Sequence, residues 1–294
     1  MNVVGRSACY PDVKPVRRWG HQHQGESKVP AGNLKGKMMK SICSNLCCLL
    51  LCVTASPIQA QDGPQGKEEK KVNPALLRVT AIRAMEAGES DKAVQAADQL
   101  LKELPGDPGS LRLAGDVYLR SGKSKEAADL FDRYLKVEPE ALAGLWQRGI
   151  ALYFAHKYRE GVKQFEVHRR VNPNDVENAA WHFLCVAKAE SFDKAKSVVL
   201  PAPNDPRAPM EEVLQMLSTG DTAKVIRKME SFTPKTRARE SADFYGNFYL
   251  GLYADAAGKR AEAKRYLDLA AKDAAHSYMG DVARVYADYL AEEK

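Results

Sequence analysis

Four sets of residues recur at one interval. Pro105, Pro139 and Pro173 are 34 residues apart, as are Gly88, Gly122 and His156, and the same spacing joins Ala81, Gly115 and Gly149, and Ala93, Ala127 and Gly161. A fixed period in this range marks a chain of stacked supersecondary units, each too small to bury its own apolar face. The clearest copy is LRLAGDVYLRSGKSKEAADLFDRYLKVEP, residues 111–139. Leu111, Ala114, Gly115 and Tyr118 form a helical stripe, Ser121-Gly122-Lys123 makes a turn, and Ala127, Phe131 and Tyr134 form a second stripe. Small residues at Gly115 and Ala127 let the two helices approach, and Tyr118 and Phe131 fill the space beside them. Pro139 ends the unit, because proline cannot continue the helical hydrogen-bond ladder. The expected fold class is therefore all-α, a solenoid of helix hairpins (an α-α superhelix) with a C-terminal capping helix.

This pattern resembles the tetratricopeptide repeat (TPR) family. The copy from Leu145 to Pro173 keeps Gly149, Phe165 and Pro173 but carries Gly161 for the usual alanine and His168 where a small residue is usual. The copy from Leu77 to Pro105 keeps Ala81, Gly88, Ala93 and Pro105 without aromatics, and NAAWHFLCVAKAESFDKAKSVVL is a degenerate fourth with Ala195 in register. PAPNDPRAP breaks the array, and FYLGLYADAAGKRAEAKRYLDLAAK, residues 248–272, restores it. The expected organisation is a doubtful N-terminal extension (1–37), a signal peptide (38–60), a polar linker (61–73) and four repeats (74–207). A helical connector (208–240), a further repeat (241–275) and a capping helix (276–294) complete it. This order is similar to that of the NlpI-like TPR proteins of bacterial envelopes. That resemblance implies an adaptor that docks envelope proteases or cell-wall hydrolases, in some cases as a homodimer. The family lipobox has no counterpart here, since Leu46 and Leu51 stand where a small residue should precede Cys47 and Cys52.

The formal charge of +6 comes from the leader. Residues 1–60 hold eight Lys or Arg against Asp12 and Glu26, and the remainder holds 36 basic and 36 acidic residues. A neutral body gives no electrostatic footprint for nucleic acid. MMKSICSNLCCLLLCVTASPIQAQ combines Lys40, an apolar run from Leu46 to Ala55 and a cleavage site at Ile58-Gln59-Ala60. Its apolar core of roughly 10 residues suits export and is short of the ~20 that span a bilayer. The expectation is an exported, periplasmic or envelope-associated protein with no transmembrane span, translated from Met38 or Met39. After cleavage Cys185 is the one cysteine left, so no internal disulfide can form.

Few residues suggest chemistry. His182 and Cys185 form an H-x-x-C on one helix face, half a metal site or a crude nucleophile pair, but zinc wants three or four ligands. The alternative reading is a packing histidine beside a buried thiol. His156 falls in a repeat turn, His168 at a packing position, and Glu211-Glu212 and Glu292-Glu293 are solvated pairs. Gly-rich phosphate loops, H-E-x-x-H and G-x-S-x-G are absent from the sequence. Neither enzyme activity nor a cofactor is expected.

In a TPR array the first helix of each hairpin lines a concave groove. In the second copy the groove positions are Arg112, Asp116, Leu119 and Arg120; in the third, Trp146, Ile150, Tyr153 and Phe154; in the fourth, Ala180, Leu184 and Lys188 with Trp181 beside them. The groove thus changes from charged to aromatic and lacks the Lys and Asn pairs that clamp a peptide C-terminus. An apolar pocket with an Arg-rich rim fits an extended or helical peptide partner. The aromatic stripe has three possible covers: the chain itself, through the connector or the C-terminal helix, a partner peptide, or a second subunit in a homo-oligomer.

Overall fold

The first helix of each of the two leading hairpins is pinned by a side-chain cap followed by proline. A computed structural model describes residues 73–272 and 274–292, so the leader and most of the linker lie outside the described residues. In the described part helix α1 is Pro74–Glu86, α2 Ser90–Glu103, α3 Pro108–Arg120, α4 Ser124–Val137, α5 Trp146–Phe154, α6 Tyr158–His168 and α7 Val176–Ala189. Then follow α8 Phe192–Ser197, α9 Met210–Thr219, α10 Thr222–Glu230, α11 Arg237–Ala256, α12 Arg260–Lys272 and α13 Tyr278–Glu292. Among the described residues there is no strand, and consecutive helices pack as neighbours. Asn73 and Asp107 cap α1 and α3 through their side chains, each followed by proline, and Asp175 caps α7.

Four hairpins close with one turn geometry. Gly88, Gly122, His156 and Gly258 have φ of 73°, 79°, 58° and 72°. The residue after each donates its N–H back five positions: Glu89 to Ala84, Lys123 to Tyr118, Lys157 to Leu152 and Lys259 to Ala254. This is the Schellman closure, in which a left-handed residue lets the chain reverse while satisfying the last carbonyls. His156 takes that conformation without being glycine, and its Nδ1 lies 2.7 Å from the Tyr158 hydroxyl.

Within the hairpins, small residues face large ones sixteen positions later. A Cβ on Gly115 would lie 2.6 Å from the Phe131 ring, one on Gly149 2.5 Å from Phe165, and one on Gly251 2.7 Å from Leu267. In the first hairpin Ala81 and Ala97 occupy these places, both fully buried. The alanine-rich core of α1–α4 is one apolar cluster, and a larger aromatic one runs from the end of α3 to α13.

Two segments differ from expectation. Pro139 starts a 3-10 turn, Pro139–Gly144, so α5 begins at Trp146 with Leu145 as its cap. The connector is a hairpin, α9–α10, but its expected end at residue 240 falls inside α11, twenty residues long. Thr236 caps that helix and RARESADFY contains neither proline nor glycine, so nothing stops it.

Candidate functional site

Positions 34 residues apart bring one face of α3, α5 and α7 into line. Asp116, Ile150 and Leu184 share one register, Arg112, Trp146 and Ala180 a second, and Arg120, Phe154 and Lys188 a third. The residues expected to line a groove lie on α3, α5 and α7, and the face that these registers share is not open. The C-terminal helix α13 packs along α3, and its aromatic side chains reach those of α5 and α7. Ile150, Tyr153, Phe154, Trp181 and Leu184 are at most 5% exposed, and Trp146 is half-buried against the edge of Tyr278 at 4.9 Å. The cover of the aromatic stripe is therefore the chain's own last helix. The physical reason lies in α13 itself: Tyr286 and Tyr289 fit among Tyr153, Phe154 and Trp181 with ring centroids 5.2–6.4 Å apart.

Polar contacts fix the seat of α13. At one end Tyr278 donates to Asp116 at 3.0 Å, and Arg120 donates to Asp281 at 2.8 Å while its guanidinium lies over the Tyr278 ring. Asp281 is also held by Arg284 of its own helix. Arg112 completes this end, 3.5 Å from Asp116. At the other end Asp255 of α11 accepts from Tyr286 at 2.7 Å, from Tyr153 at 2.9 Å and from Lys188 at 3.1 Å. The Tyr153 and Tyr286 hydroxyls are 2.8 Å apart. Burial, with Asp255 and the neighbouring phenols, pushes both phenols well above their ordinary range. Burial and Asp116 do the same to Tyr278. All three therefore stay protonated and donate. Burial also raises the Asp116 carboxyl, against the pull of Arg112 and Tyr278.

The seat leaves two features free. A cleft of about 890 Å³ runs between α13 and the hairpin turns at Gly88, Gly122 and His156. Beyond the start of α13, the first repeat shows Val79 and Ile82 at 43% and 47% exposure, with Leu76 at 62% nearby. Ile82 is the register equivalent of Asp116, Ile150 and Leu184, so the same face continues past its occupant.

His182 and Cys185 have the chemistry of packing groups. The Cys185 sulfur lies where a Cβ on Gly161 would be 2.7 Å away, and burial pushes its thiol up, the reverse of an activated thiolate. Burial brings the His182 imidazole down to about 4; neither ring nitrogen has a hydrogen-bond partner, and Glu166 is 3.8 Å away. Among the described residues no group of three His, Cys, Asp or Glu is placed to hold a metal ion. None of the described helices is long and apolar enough to cross a membrane.

Sequence reasoning missed the second half of this site. Asp255, Tyr278, Asp281 and Tyr286 come from α11 and α13, far along the chain from the groove helices. It also missed a clamp on the proline-rich break. Arg207 binds Asp205 and Asp175 at 2.6 and 2.8 Å and pairs with Glu177, which accepts from Tyr249 of α11 at 2.7 Å. The only hint was the D-x-E and D-x-R spacing around 175 and 205. No protein-family model matches this chain, and no curated protein matches it either.

Proposed function

We propose that the chain is an exported, non-enzymatic scaffold of the TPR type, its helix hairpins forming a solenoid. The face of α3, α5 and α7 recruits a protein or peptide partner in the bacterial envelope, of the kind represented by proteases and cell-wall hydrolases. One observation carries the reading: register-equivalent positions on three successive hairpins converge on one face, and that face already holds a helix through aromatic anchors and a polar rim. Buried aromatics inside a charged rim are how protein interfaces concentrate their affinity. The raised thiol and the unpartnered imidazole speak against a catalytic or metal-binding pair at Cys185 and His182.

The test is a tagged full-length chain expressed in its own cells, followed by fractionation and crosslinked capture. The tagged chain is expected in the envelope fraction, with a captured protein that is lost in Arg120→Glu. A chain that stays with the cytosol, or a captured set identical in wild type and variant, would remove the reading.

A further inference from the structure

We propose that α13 is a resident, exchangeable occupant of the groove, and that the partner is an amphipathic helix with the same tyrosine and aspartate pattern, extended to reach Val79 and Ile82. This rests on the adaptor reading above and names the chemistry of its partner. The contacts of α13 define what the groove recognises. A tyrosine meets Asp116, an acid three residues on meets Arg120, and two further tyrosines enter the aromatic floor. The spacing follows Tyr278, Asp281, Tyr286 and Tyr289 on one side of α13.

Three observations make exchange the reading of this seat. First, both ends of the seat are polar: when α13 leaves, Asp116 and Arg120 regain water in place of Tyr278 and Asp281, and Asp255 loses Tyr286 but keeps Lys188 and Tyr153, so few polar groups are stranded. Second, α13 also packs along α12, which keeps it tethered when its groove side is vacated. The cleft beside it gives an incoming chain a place to land. Third, α13 stops short of the groove's end. His276, just before it, touches the turn at Gly88, where a Cβ would lie 2.4 Å from the imidazole, while Val79 and Ile82 remain exposed. A helix that continues past this point covers apolar surface that α13 leaves wet, and that difference favours the newcomer.

The experiment uses the full chain and two labelled peptides: residues 276–292 of this sequence, and the same peptide preceded by Leu-Ala-Ala-Leu. Binding is read by fluorescence anisotropy against wild type, against a double variant with a weakened latch (Asp281→Asn with Tyr286→Phe), and against Ile82→Ser. The weakened latch is expected to bind either peptide at least tenfold more tightly than wild type. The extended peptide is expected to outbind the shorter one severalfold, a gain that Ile82→Ser abolishes. Hydrogen exchange on the wild-type chain gives a readout that no variant can spoil: amides of 278–292 should exchange before those of 146–154. Equal protection of the two helices, or no gain in binding in a folded latch variant, overturns the proposal and makes α13 a permanent cap. A groove that opens and takes the peptide in a chain that captures no envelope protein would leave this inference standing and remove the adaptor reading.

Discussion

The α1–α4 hairpins and the helices from α5 onward share the 34-residue frame as far as α7, yet their interiors differ. The first is packed with alanine: Ala81, Ala84, Ala93, Ala96, Ala97 and Ala114 surround Leu111, Val117 and Leu130. The second is packed with rings, Tyr153, Phe154, Trp181, Phe248 and Tyr286 among them. One register position shows the consequence. Ile82 in the first repeat is 47% exposed, while Ile150 and Leu184, at the equivalent positions, are 1% exposed. Isoleucine is no less apolar at 82 than at 150, so the repeat does not set burial at this position. What packs over each helix does: α11 lies on α7 and the rings of α13 reach those of α5 and α7, while α1 meets chiefly α2 and α3.

The sharpest way to break this contrast is to remove a ring from the shared core. Trp181→Ala, at a fully buried indole touching Tyr153, Phe154 and Tyr286, is expected to destabilise the chain by about 3–5 kcal/mol in denaturant unfolding. In a chain ended after Ser277 the same substitution should matter less, because Tyr286, one of the rings packed on the indole, is gone while Tyr153, Phe154 and Phe248 remain. An equal penalty in both backgrounds would mean that the aromatic core stands without α13.

The next effect separates the halves by pH. His182 lies under the aromatic half, and its folded pKa of about 4 is below the ordinary 6.5. A depressed folded value means that the unfolded chain takes up the proton first. The stabilisation is therefore complete above about pH 6.5 and is lost as pH falls towards 4, by about 3 kcal/mol over that window. His182→Gln should flatten this part of the stability profile, and an unchanged slope would assign the acid sensitivity elsewhere. Smaller again is overpacking inside one hairpin. Gly149→Ala drives a methyl into Phe165, a ring only 1% exposed and without room to retreat, at a loss of about 1–3 kcal/mol measured as a fall in the unfolding midpoint.

What the sequence made legible follows from what is periodic. Gly88, Gly122 and His156 marked the turns, and each adopts positive φ; Gly115 and Gly149 marked close helix approach, and each faces a phenylalanine. The shared registers of α3, α5 and α7 were readable for the same reason, since a register copies itself every 34 residues. Their cover was not readable as more than one of three alternatives. Tyr286 meets Tyr153 across 133 residues of chain, and α13 belongs to no repeat, so no interval announces the contact. The Arg207 clamp was hidden in the same way, because its carboxylates come from the cap of α7 and from the break itself. The uninterrupted α11 was concealed differently: a boundary was expected at residue 240, and no proline or glycine stands there to stop the helix.

The smallest effect isolates α13 most cleanly. Gly88 and Gly122 occupy the same place in successive hairpins with φ of 73° and 79°, so alanine at either suffers the same backbone penalty, about 1–2 kcal/mol. Their surroundings differ. A Cβ at Gly122 would meet nothing within 4 Å, whereas one at Gly88 would strike the His276 ring, on the segment that leads into α13. Gly122→Ala is thus the backbone control, and Gly88→Ala adds pressure on the entry to α13. Because His276 is half exposed and its ring can swing aside, the added loss should be small, at most about 1 kcal/mol. Its signature should be local: faster hydrogen exchange in 278–292 for Gly88→Ala and none for Gly122→Ala. Faster exchange in both would place the coupling in the hairpins, and in neither would show that the seat of α13 does not depend on its entry segment.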